Sequence, residues 1–169
     1  MEADFGSRTI ININDVVKKH SKIIPNILGA HALSGCNTVS YFFSIGKSTV
    51  FTKIYSFAEK LSLGDLSTSV DDIIKSACSF IATLYGHAPE SSLSSMRTLT
   101  FTQKIAGKRN VPPILSSLPP TKAVFRPQCM RAHFQTAIWK AAGEPAPSNL
   151  NPLTLRMAEM WTISVTYSN

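Results

Sequence analysis

The chain has 169 residues, 44% of them hydrophobic, which suits one folded domain with a real core and excludes an intrinsically disordered polypeptide. Seventeen Lys and Arg against ten Asp and Glu give a net charge of +7, spread along the chain; an anionic partner such as nucleic acid and a plain basic surface both satisfy it. Three cysteines without paired spacing, an acidic N-terminus and no apolar run approaching about 20 residues argue against a disulfide scaffold, a secretory signal and a bilayer span. The expected setting is intracellular, nucleus or cytoplasm, with no membrane partner.

Residues 1–7 are expected to be disordered. The weakly alternating stretch from Arg8 to Ile13 predicts a short strand, and Asn14 predicts the cap of a helix from Asp15 to about His20. Pro25 suits a first helical turn, and Ile24, Ile27, Leu28 and His31 follow at helical spacing, with Gly35 as the expected C-terminal stop. From Lys47 to about Leu61, Val50, Ile54, Phe57, Ala58 and Leu61 form one apolar stripe, closed by Gly64.

Residues Val70 to Tyr85 carry the clearest helical period in the chain. Asp71 and Asp72 lie in its first turn and Gly86 at its end. A further helix is predicted through Met96, Leu99 and Gln103, and the basic, proline-rich stretch Lys108–Pro120 predicts an extended connection. Pro127 predicts an interruption, so the last helix is expected over Gln128 to Ala142, with Cys129, Ala132, His133, Ala137 and Trp139 near one another on the surface. Beyond Gly143 a loose tail is expected.

Gly46-Lys47-Ser48 looks like the end of a nucleotide-binding P-loop. That motif needs a glycine five residues before its second one, and Tyr41 stands there, followed by Phe42 and Phe43. Bulky side chains obstruct the wrap of amides around phosphates, so this reading is set aside. A glycine turn with a lysine opening a helix still presents backbone N–H groups and positive charge to a phosphate.

The order strand, helix, helix, Gly35-Cys36-Asn37, aromatic turn, Ser44-Ile45-Gly46-Lys47, amphipathic helix resembles the flap-endonuclease type of 5′ nuclease, a PIN-like fold. In that family a Gly-Cys-Asp-Tyr segment precedes a Gly-Ile-Gly-x-Lys turn inside a helix–two-turn–helix. A longer resemblance is to uncharacterised, apparently transposon-associated animal proteins built on the same element. Their His-Ala-Leu-x-Gly-Cys-Asp-Thr segment matches His31 to Thr38, and their Leu-Pro-Pro-Thr segment matches Leu118 to Thr121. A third segment, Arg-Ala-x-x-Gln-x-x-Ile-Trp, matches Arg131 to Trp139.

The resemblance implies a mainly α fold with a short N-terminal strand, forming part of a PIN-like nuclease fold. Residues 8–64 would hold the helix–two-turn–helix, 65–142 a helical extension and 143–169 the tail. By the same match, Ser44, Ile45, Gly46, Lys47, Ser48 and Thr49 would hold a nucleic-acid backbone, DNA first, weakly and with strong salt dependence. A potassium ion on the carbonyls of the Ser44–Gly46 turn would belong to the same element.

Asn37 stands where the nucleases carry a metal-binding aspartate, and upstream of it the chain has only Glu2, Asp4 and Asp15. Two-metal hydrolysis needs several carboxylates, so no catalytic residue and no resident metal are expected of this chain alone. Magnesium would enter only if the chain were joined to a missing N-terminal half. The function expected is therefore a catalytically degenerate nuclease-like element that contacts phosphates. The alternatives are a segment of a larger metal-dependent 5′ nuclease and a helical protein-interaction module.

Other combinations are weaker. Cys129 and His133 share a helix face, but two ligands make no zinc site. His31 beside Cys36 lacks an orienting third group, Cys78 and His87 have no motif spacing, and Asp71-Asp72 suits helix-dipole compensation. Phe42 and Phe43 could stack on bases, with at least one of them expected in the core.

Overall fold

The computed structural model describes residues 11–106, 112–145 and 150. They form six helices: α1 (Ile13–Lys19), α2 (Ile24–Leu33), α3 (Lys47–Ile54), α4 (Val70–Tyr85), α5 (Leu93–Ile105) and α6 (Lys122–Ala141), with a 3₁₀ turn at Leu115–Ser117. The mainly α architecture expected from the sequence is present, and no strand occurs among the described residues. Of the stretch expected to be a strand, Arg8, Thr9 and Ile10 lie outside the described residues. Asn12 caps α1 instead, its Oδ1 accepting the Asn14 N–H at 3.0 Å, two residues earlier than the expected cap. Residues 1–7 and most of 143–169 also lie outside the description.

α6 is the axis of the packing. It lies against α2 and α4; α3 bridges α2 and α4, and α5 packs on α4. Its buried residues include Phe125, Cys129, Met130, Ala132, His133, Thr136 and Ala137, so a face expected at the surface is core. The helix also starts six residues before the expected position and carries Pro127 within it. Pro127 lies in the second turn, where its missing N–H leaves only the carbonyl of Ala123 without a helical partner. Ala123 is exposed, so water can satisfy that oxygen.

α4 has the predicted boundaries. Ser69 caps it, with Oγ accepting the Asp72 N–H at 3.2 Å, and Gly86 ends it in the left-handed region. α3 is shorter than its apolar stripe, ending at Ile54. Tertiary bonds compete with the helical ladder beyond it: buried Asn26 of α2 accepts the Leu61 N–H (2.9 Å) and donates to the Glu59 carbonyl (2.9 Å). Phe57 and Leu61 still enter the core, Phe57 edge-on to Phe80 at 5.1 Å, while Ala58 is exposed.

The inner face of α2 differs from the predicted stripe. Asn26, Gly29, Ala30, Ala32 and Leu33 are buried, whereas Ile24, Ile27 and Leu28 are exposed. Small residues face inward because a neighbour comes close: a Cβ on Gly29 would stand 3.1 Å from Leu63 Cβ.

Gly64 permits a second close approach, with φ +73° and an added Cβ 2.7 Å from Thr136 Cγ2 on α6. Gly64→Ala should therefore lower unfolding stability by roughly 2–4 kcal/mol in urea titrations. The Gly64 N–H also donates to Nδ1 of buried His133 at 3.1 Å, a bond only the neutral ring can accept. Burial and the Lys140 cation hold the His133 pKa below its ordinary 6.5, against a smaller opposing pull from Asp65. The unfolded chain thus takes up the proton first. Stability should be full above about pH 6.5 and fall as pH drops below it, and His133→Gln should flatten that slope in thermal melts recorded across the range.

Candidate nucleic-acid interface

Thirteen residues join α2 to α3, counted from Ser34 to Gly46. Gly35 leaves α2 with φ +110°, and no side chain fits there: an added Cβ would lie 2.9 Å from Tyr41 Cα. Two tight turns follow. Cys36 and Val39 exchange backbone bonds (2.9 and 3.2 Å), and the Ile45 N–H donates to the Phe42 carbonyl (3.2 Å). Phe42 is buried and anchors the segment, whereas Tyr41 and Phe43 are exposed.

Ser44 has φ +61° and alone among the described non-glycine residues occupies the left-handed region. The conformation costs a residue other than glycine about 1 kcal/mol. Gly46 then opens α3, and no side chain caps this end. Ser44, Gly46, Ser48 and Thr49 are exposed and Ile45 is half-buried. The N–H groups of the first turn of α3, on Lys47, Ser48 and Thr49, thus lie at a solvent-facing helix start, carrying the positive end of the helix dipole. Of the turn carbonyls expected to hold a potassium ion, that of Gly46 accepts the Val50 N–H at 3.1 Å.

Lys47 does something the sequence did not suggest. Its ammonium turns back to the C-terminus of α2, donating to the His31 carbonyl (2.6 Å), the Gly35 carbonyl (2.5 Å) and Ser34 Oγ (2.8 Å). The His31 carbonyl lies in the last turn of α2, where a cation complements the helix dipole, and Ser34 and Gly35 follow the helix end. Partial burial lowers the Lys47 pKa from 10.5, and Cys36 pulls the other way. The charge expected at a bound phosphate is engaged inside the fold.

Asn37 is exposed at the first turn, and its neighbour Thr38 donates through Oγ1 to Gln135 Oε1 on α6 at 2.8 Å. On the same side the His31 and Trp139 rings lie 5.5 Å apart. Burial, then the Lys47 charge, lower the His31 pKa from 6.5. The two sequence segments His31–Thr38 and Arg131–Trp139, about a hundred residues apart, therefore meet in one place. The sequence assigns Gln135 no role beyond membership of the Arg131–Trp139 segment, and it places Trp139 with Cys129, Ala132, His133 and Ala137 on the surface. The Leu118–Thr121 segment leads into α6 and is held by α5: Leu118 and Pro119 are buried, and Arg97 donates to the Pro119 carbonyl at 2.5 Å.

Among the described residues, no three His, Cys, Asp or Glu side chains converge as a metal set. Cys129 lies in the core, its thiol pushed up to about 12 by burial, and His133 is occupied by Gly64. Cys78 is half-buried beside the Ser91 carbonyl, and His87 Nε2 pairs with Thr100 Oγ1 at 2.7 Å. No described helix is long and apolar enough to cross a membrane. Comparisons with protein-family models, curated proteins and solved structures found no match to this chain.

Lys47→Met keeps the stem and removes the three donated bonds. It should destabilise the protein by about 1–3 kcal/mol in chemical denaturation, with Lys47→Arg recovering part of the loss.

Proposed function

We propose that this protein is a catalytically degenerate nuclease-like element that contacts a nucleic-acid backbone through the start of α3. The observation that carries the reading is the uncapped, exposed first turn of α3, presented by a left-handed Ser44. Helix-start amides bind phosphate oxygens without reading bases, and strained backbone collects at binding turns. The two successive turns between α2 and α3 also suit the helix–two-turn–helix that the sequence resembles. Lys47 then acts as the clamp that holds the turn, and the amides with the hydroxyls of Ser48 and Thr49 make the contact. The net charge of +7 supplies the long-range attraction.

Ser48→Glu separates binding from folding. A carboxylate at the second position of a helix favours the helix dipole yet repels phosphate. The variant should be at least as stable as the parent and bind a duplex at low salt about tenfold more weakly, as read by fluorescence anisotropy. Parent binding should fall steeply as salt rises. Unchanged affinity in Ser48→Glu would sink the reading.

A second reading, a helical protein-interaction module, is favoured by the exposed apolar residues Ile24, Ile27 and Leu28 on α2 and Phe51 on α3. Ile27 and Phe51 line a groove of about 380 Å³ walled mainly by carbon. Binding of a protein that persists at high salt and is lost in Phe51→Glu, without retention of DNA, marks that case.

A further inference from the structure

The turn after α2 and the last turns of α6 enclose a cleft of about 400 Å³, within the range of small-ligand sites. His31, Asn37, Thr38, Tyr41, Gln135 and Trp139 line it, and Lys47 stands where it meets the start of α3. The chemistry of this lining is of a restricted kind. No carboxylate contributes, and the Lys47 ammonium is taken up by oxygens at the end of α2. Apart from the Cys36 thiol and the Thr38 hydroxyl, which lie 3.4 Å from each other, what remains is aromatic faces and neutral amides. Gln135 Oε1 is committed to the Thr38 hydroxyl, which leaves its NH₂ as the donor, while exposed Asn37 offers one donor group and one acceptor. Tyr41 is 71% exposed and presents an open ring face at the rim.

A flat ring with hydrogen-bonding edges uses all of these features together. Recognition of unpaired bases works in this way, by stacking on aromatic side chains and pairing of base edges with side-chain amides. A charged metabolite would find no free counter-charge in the cleft, and a purely apolar ligand would strand the amides.

We infer that this cleft takes one unstacked nucleobase of an unpaired strand, with the adjoining phosphate on the first turn of α3. The inference rests on the backbone-contact reading and adds to it a preference for single-stranded over duplex nucleic acid. Duplex DNA keeps its bases stacked and can use the helix start alone.

The test uses the full chain carrying Trp161→Phe, so that Trp139 is the sole indole, with a short labelled oligothymidine and a blunt hairpin carrying a similar number of phosphates. The single strand should bind about tenfold more tightly than the hairpin and quench Trp139 emission. Asn37→Ala, at an exposed position where folding is undisturbed, and Gln135→Ala should each bring the two affinities together while leaving hairpin binding unchanged. Equal affinities with unaltered Trp139 emission would overturn the base cleft and leave the backbone contact standing. Absence of binding to either nucleic acid at low salt would overturn both.

Discussion

The end of α2 leaves oxygens that the fold must satisfy: Gln128 Nε2 donates to the Leu33 carbonyl, and Lys47 takes the His31 carbonyl and the oxygens just beyond it. Lys47 reaches across the two turns and gathers the carbonyls of His31 and Gly35 with the hydroxyl of Ser34. Because Lys47 is also the first residue of α3, this single ammonium fixes the start of one helix against the end of another. The exposed amides of α3 and the cleft beside them exist only while that junction holds. A cation meeting several partly desolvated oxygens is worth more than a solvated surface charge, which is why the residue serves structure first.

The second constraint is the closeness of α6. Its core-facing side chains are mostly small or medium, and the chain packed against it supplies glycine or small residues at the contacts. Gly64 leaves room for Thr136, and Ala30 and Ala32 line the inner side of α2. This packing brings Gln135 and Trp139 to the turn, where Thr38 and His31 receive them. Site and core are therefore built by adjoining sectors of one helix: Ala132, His133 and Thr136 point inward while Gln135 and half-buried Trp139, at the edge of the same face, reach the cleft.

How much of this could be read from sequence follows from the kind of signal each element carries. α4 was legible to the residue, because a strong period, early aspartates and a closing glycine agree. α2 was located correctly but turned inside out. Apolar residues surround much of that helix, so spacing alone cannot choose a face; Ile24, Ile27 and Leu28 stay outside where Gly29 meets Leu63 closely, while Leu33 is buried at the helix end. α3 was drawn too long, since its stripe continues past Ile54 into a segment whose backbone at Glu59 and Leu61 bonds to the Asn26 side chain and not along a helix. Pro127 looked like a break, and it was tolerated because its cost falls on a solvent-facing turn.

What the sequence determined by itself is the helical class, the existence of most helices, the glycine-turned junction at residues 35–46 and the poverty of carboxylates. These rest on local chemistry: periodicity, caps, backbone freedom and residue inventory. The tertiary structure alone decided where the Lys47 charge goes, which face of α2 is core, and that Asn37 and Thr38 share a cleft with Gln135 and Trp139. Those outcomes depend on groups separated by a dozen to a hundred residues competing for the same donors, acceptors and volume. No local pattern encodes that competition until the helices are packed.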